Sequence, residues 1–213
     1  MDGNDITLAQ LAIELLDLDG QREQLRERAA RQGGRAVLVD PEFTAKAGQA
    51  PNEAIIGYYS ADYLRVNPKY RPTPTALRLP APTDPMDRAV QRLATGWGSL
   101  DQLCESMLDS DIYVEVDANG KTRRDSDTGD GMPIFTDPKH IPEPRQGRAI
   151  PFDYLLNNLV PGLALAINPE TRVFLRDDIS FRISASIDAG FFLDYRKRRR
   201  ADGRPSLPLF PNL

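Results

Sequence analysis

The sequence predicts an α+β fold, a mixed or antiparallel sheet with short flanking helices. Three observations carry this. Short apolar runs of strand character are interspersed with one-face helical patterns, without a regular β-α-β rhythm. Gly, Pro and Asn break the chain at short intervals. Across 213 residues, 40% apolar and 27% charged residues give the balance of a globular chain with a sizeable core.

Taken in order, Asp5 is placed to cap a helix whose apolar positions are Leu8, Leu11, Ala12, Leu15 and Leu16. After Gly20 a polar, Arg/Glu-rich helix follows, in which Leu25 is the one large apolar residue; the spacing predicts a solvated face. Gly33-Gly34 ends it. Ala36-Val37-Leu38-Val39 predicts a short buried strand, stopped by Asp40-Pro41, and residues 54–59 and 63–66 predict two more. Six prolines between Asn67 and Pro85 remove backbone donors and fix φ, so this stretch reads as a stiff, extended crossing.

Asp84-Pro85 predicts a helix start, with a capping carboxylate and proline at the first helical position. Met86, Val90 and Leu93 form its stripe. Ser99 caps the next helix, with Leu100, Leu103, Cys104, Met107 and Leu108 on one face. Ile112, Val114 and Val116 then alternate with polar residues up to Asn119-Gly120, which predicts a hairpin returning through 121–124. Ile134-Phe135 re-enters the core, and 138–147 leaves it. Pro151 opens a helix with Phe152, Leu155, Leu156 and Leu159 on one side. Residues 163–167 are apolar without alternation, as in a central strand, and Asn168-Pro169 turns the chain toward a returning stretch at 172–175. Residues 181–187 predict a last half-exposed strand.

Certain phrases resemble a known family. Tyr113-Val114-Glu115-Val116-Asp117 with Asn119-Gly120, then Pro133-Ile134-Phe135-Thr136 and Leu165-Ala166-Ile167-Asn168-Pro169, resemble an SseB-type amino-terminal domain. Upstream, Val39-Asp40-Pro41-Glu42-Phe43, Asn67-Pro68-Lys69-Tyr70-Arg71-Pro72-Thr73-Pro74 and Ala94-Thr95-Gly96-Trp97-Gly98 resemble actinobacterial type VII secretion system-associated proteins carrying that domain. The resemblance implies an accessory role near a secretion locus and no catalytic residues. The expected organisation is a helical segment at 1–32, the first part of the core at 33–109, an SseB-like domain at 110–180, and a last strand with a basic, proline-containing tail at 181–213.

Chemistry is sparsely signalled. One cysteine, Cys104, excludes an internal disulfide and a multi-thiolate metal site. It sits mid-stripe on a helix, as a small hydrophobe does. The one histidine, His140, reads as a surface-loop residue. Asp125, Asp127 and Asp130 fail the EF-hand register, and no phosphate-cradling glycine motif occurs. No cofactor or metal is expected. Trp97 is either a core plug or an exposed anchor.

The expectation is therefore a non-enzymatic module that binds a protein, a secretion component or substrate, with Tyr58, Tyr59, Tyr70 and Arg71 as contact residues. A carboxylate-dependent hydrolase or transferase is the alternative. The run Arg196, Lys197, Arg198, Arg199, Arg200 reads as a solvated tail or as a contact for nucleic acid or anionic membrane, although the net charge is −4. The acidic start, unlike a secretory signal, and the lack of a run of roughly 18 apolar residues point to the cytoplasm.

Overall fold

A computed structural model describes residues 7–18, 20–60, 63–123, 131–159, 162–176 and 179–202. The architecture is α+β, and the chain divides into two compact units, Met1–Pro80 and Ala81–Leu213. The division falls inside the proline-rich stretch. Among the described residues no helix is long and apolar enough to cross a membrane.

In the first unit, α1 (Leu8–Leu15) is capped by Thr7, whose hydroxyl accepts from the Gln10 N–H while the Gln10 side chain accepts from the Thr7 N–H. This replaces the cap expected from Asp5. Helix α2 (Arg22–Arg31) is polar except for Leu25, Ala29 and Ala30, and it buries Leu25 and Ala29 against a three-stranded antiparallel sheet. The sheet runs β1 (Ala36–Val39), β2 (Ile55–Ser60), β3 (Tyr63–Val66), with β2 central. Gly57 permits the approach of β3, because a Cβ there would run into the carbonyl of Arg65.

The second unit opens with α3 (Pro85–Ala94), capped by Asp84 through the Asp87 N–H at 2.8 Å, and α4 (Leu100–Leu108), capped by Ser99. Both starts are where the cap residues predict them. Trp97 is half-buried at their junction. A five-stranded sheet follows in the order β10-β7-β5-β4-β6. Its members are β4 (Asp111–Val116), β5 (Met132–Phe135), β6 (Gln146–Pro151), β7 (Ala164–Ile167) and β10 (Ala185–Asp188). Only β5 and β7 are parallel. Helix α5 (Phe152–Asn157) follows β6, and β8 (Arg172–Arg176) pairs with β9 (Ile179–Arg182) as a separate ribbon.

Three features differ from expectation. Asn119-Gly120 does turn the chain back on β4, with Val116 bridged to Thr122 and hydrogen bonds from the Asp117 N–H to the Lys121 carbonyl and from the Arg123 N–H to the Glu115 carbonyl, both at 2.9 Å. Among the described residues, however, this return forms no full strand, and the strand neighbours of β4 are β5 and β6. Strand β6 has no apolar alternation; it is a strand because all six residues pair with β4. The run 181–187 is not one strand: it breaks at Ile183-Ser184, so that β9 and β10 belong to different sheets.

The core of this unit gathers Leu103, Met107, Ile112, Ile134, Phe135, Leu165 and Ile167 from its helices and central strands. Asn168 fixes the turn after β7. It adopts a φ of 48°, which asparagine tolerates, and its buried amide accepts from the Thr136 N–H and donates to the Thr136 hydroxyl, both at 3.0 Å. The chain ends in α6 (Ala189–Ala201), which packs on α4 and α5. There Phe192 meets Phe152 edge to face at 5.0 Å, a contact worth about 1 kcal/mol beyond its burial.

Candidate functional site

The residues expected to form a contact surface separate into two groups. In β2, Tyr58 and Tyr59 are consecutive, so the pleat sends them to opposite faces. Tyr58 is 43% exposed and Tyr59 only 5%. Tyr59 shares its face with Leu38 and Ala36 and is part of the core. Across the ladder Tyr58 stands opposite Arg65, and Tyr63, 59% exposed, stands diagonally beside it opposite Ser60. The exposed part of this face, which is the open face here, thus carries Tyr58, Tyr63 and Arg65, while Ile56, two residues before Tyr58, is buried. Tyr63 and Arg65 were not among the expected contacts, though strand alternation alone could have paired them with Tyr58.

Tyr70 is also a core residue, 6% exposed. Its hydroxyl donates to Asp40 Oδ2 at 3.1 Å. Asp40 is fully buried, and it also accepts from the Thr73 N–H at 3.0 Å, the Thr73 hydroxyl at 2.6 Å and the Glu42 N–H at 3.1 Å. Burial and then the Asp40 charge push the Tyr70 phenol well above its ordinary pKa. Two phrases of the sequence, Val39-Asp40-Pro41 and Tyr70-Arg71-Pro72-Thr73, therefore meet in one hydrogen-bonded knot that pins the proline-rich crossing. Tyr59 and Tyr70 are thus core residues, not the contact residues expected from the sequence. Arg71, between Tyr70 and Pro72, remains exposed.

His140 is not a surface-loop residue. Its side chain is 8% exposed, with Nε2 lying 3.4 Å from Oδ1 of the buried Asp87 on α3 and Nδ1 lying 3.2 Å from the Thr171 hydroxyl. The other Asp87 oxygen accepts from Lys139 Nζ at 3.0 Å and from the Thr83 N–H at 3.1 Å. Burial alone would raise the Asp87 pKa. The contacts from His140, Lys139 and Thr83 outweigh it and hold the carboxyl well below the usual range. Arg145, further along the same segment, reaches Glu170 at 2.7 Å and the buried Glu115 at 3.4 Å, while Arg123 takes the other Glu115 oxygen at 3.0 Å. The stretch 137–147 is thus a strap fastened by polar contacts, at one end to α3 and at the other to β4 and the β7–β8 turn.

The basic run is the second half of α6, not a solvated tail. Arg196 lies 3.4 Å from Asp153 and donates to Asn157 at 3.0 Å, Arg198 lies 3.4 Å from Asp101, and Arg199 holds Asp109 at 2.7 Å. The Tyr195 hydroxyl donates to Glu105 at 2.7 Å. Lys197 and Arg200 face solvent. Acidic groups of α4, the residue after it, and α5 thus pair with Arg196, Arg198 and Arg199, three of the cations that a phosphate backbone would need.

Cys104 is fully buried in α4, and burial first, then Asp101, pushes its thiol up to about 12. Among the described residues no cluster of three or more His, Cys, Asp or Glu side chains is placed to hold a metal ion. Asp125, Asp127 and Asp130 lie outside the described residues. No family model matches the chain, and neither a curated protein nor a solved structure shows significant similarity to it.

Proposed function

We propose that the chain is a non-enzymatic, cytoplasmic protein-interaction module, an accessory of a type VII-like secretion apparatus. The secretion context rests on the sequence phrases that resemble SseB-type, type VII-associated proteins. The interaction role rests on the open face of the first sheet. Tyr58 and Tyr63 project there beside Arg65, and aromatic and arginine side chains are those that dominate binding energy at protein interfaces. The partner is a secretion component or a secreted substrate.

The test is affinity capture from the native host with wild type and a Tyr58→Ala/Tyr63→Ala variant. The expected result is a secretion-system protein retained by the wild type and lost by the variant, with the thermal midpoint unchanged within a few degrees, as for surface substitutions. Retention of the same partner by the variant would move the interface elsewhere.

A hydrolase is the second reading, favoured by the order of carboxylate, imidazole and hydroxyl in Asp87, His140 and Thr171. Lys139 and the Thr83 N–H occupy the same carboxylate, which suits a structural tie better. Turnover of an activated ester, abolished by Thr171→Ala, would promote this reading.

A further inference from the structure

We propose that the free edge of β3 takes up an extended, acidic segment of the partner as a fourth strand. The proposal rests on the interaction reading above and names the binding mode and the chemistry of the partner. Among the described residues, strand β3 is the outer member of its sheet and pairs only with β2. The Asn67 N–H donates to the Ile56 carbonyl at 2.8 Å. Antiparallel alternation then turns the amides of Arg65 and Tyr63 toward β2 as well, and those of Leu64 and Val66 outward. The edge thus presents two N–H and two C=O groups in register for an added strand, the main-chain contacts by which sheet edges capture peptides.

Charge selects the occupant. No carboxylate among the described residues pairs with the Arg65 guanidinium, whereas Arg196, Arg198 and Arg199 of α6 are matched to acids. Arg65 stands on the open face between Tyr58 and Tyr63, so a strand laid along β3 meets a cation flanked by aromatic rings. A second copy of the chain suits this edge poorly. Antiparallel self-pairing with Leu64 opposite Val66 sets the two Arg65 side chains face to face, the repulsion by which charged edge strands resist self-association. An acidic segment with β-branched residues at alternate positions satisfies both the ladder and the cation.

The experiment pans a random 12-residue peptide phage library on the full chain. A selected peptide is then synthesised with free and with alternately N-methylated amides. The expected peptides are rich in Asp and Glu and alternate with Val, Ile or Thr. Binding should slow amide exchange at Leu64 and Val66, and should weaken at least tenfold on N-methylation and in Arg65→Glu. Peptides that shift Tyr58 and Tyr63 resonances without protecting those two amides would overturn the added strand and leave the interaction reading standing. Enrichment of basic peptides, or dimerisation of the free chain through β3, would overturn the acidic partner. Failure to enrich any peptide would count against both readings.

Discussion

Arg199 of α6 grips Asp109 through both terminal nitrogens, at 3.0 and 2.7 Å, across 90 residues of sequence. A bidentate guanidinium–carboxylate pair is committed to its geometry, and it is one of several that bind this helix down. Nucleic-acid binding through the basic run is therefore expected to be weak. Titration of the full chain with duplex DNA at physiological salt should give no affinity tighter than about 100 μM, the weak end of non-specific binding. A tighter, steeply salt-dependent interaction, lost on Lys197→Glu/Arg200→Glu, would contradict this.

The same helix is part of the core. Phe192→Ala should cost about 3–4 kcal/mol, because it removes a fully buried ring and its edge-to-face partner contact with Phe152. Urea denaturation of the full chain checks this, and a midpoint like that of the wild type would mean α6 is only loosely attached.

The knot around Asp40 makes two predictions in one series. Tyr70→Phe and Thr73→Val each leave a buried carboxylate short of a donor, and each should cost about 1–3 kcal/mol at neutral pH. The gap between wild type and Tyr70→Phe should then narrow in alkali. The folded state keeps the Tyr70 proton where an unfolded phenol, with an ordinary pKa near 10, gives it up. Above that pH the folded state binds more protons, so stability falls by up to about 1.4 kcal/mol per unit. Denaturation at pH 9 and pH 11 measures the narrowing; a gap that widens or stays constant would refute the burial of this phenol.

Asp87 behaves in the opposite sense. Its carboxyl is depressed, so its stabilisation is present above the ordinary carboxylate pKa near 4 and is lost as pH falls toward the folded value. Asp87→Asn should be less stable than wild type at pH 7, and the difference should shrink progressively below about pH 4. Equal acid profiles for the two proteins would show that the strap is not held through this residue.

Cys104 should be silent to a thiol reagent under native conditions, being both inaccessible and almost wholly protonated at neutral pH. Labelling followed through a urea gradient should coincide with loss of secondary structure. Prompt labelling in native buffer would place the α4 stripe at the surface.

Local signals made much of this fold legible. Asp84-Pro85 and Ser99 mark real helix starts, and the apolar run at 36–39 is a real strand, because caps and burial act over a few residues. Strand β6 and helix α6 were hidden because their reasons lie far off in the chain. The residues of β6 become a strand through β4, and the charges of α6 are countered by acids 40 to 100 residues upstream. The candidate face was half legible. Alternation separates Tyr58 from Tyr59, but nothing near Tyr70 shows that Asp40, 30 residues earlier, draws its hydroxyl inward. His140 gave no local sign of burial, since its carboxylate partner is on α3.

The knot also has a use in sequence space. Asp40, Tyr70 and Thr73 satisfy one another so closely that none can change alone without stranding a buried polar group. In a population of variants selected only for folding, their identities should travel together. An Asp-Pro pair followed about thirty residues later by Tyr-x-x-Thr is thus a compact signature of this N-terminal unit. It would mark relatives whose surface tyrosines and basic residues have drifted beyond recognition.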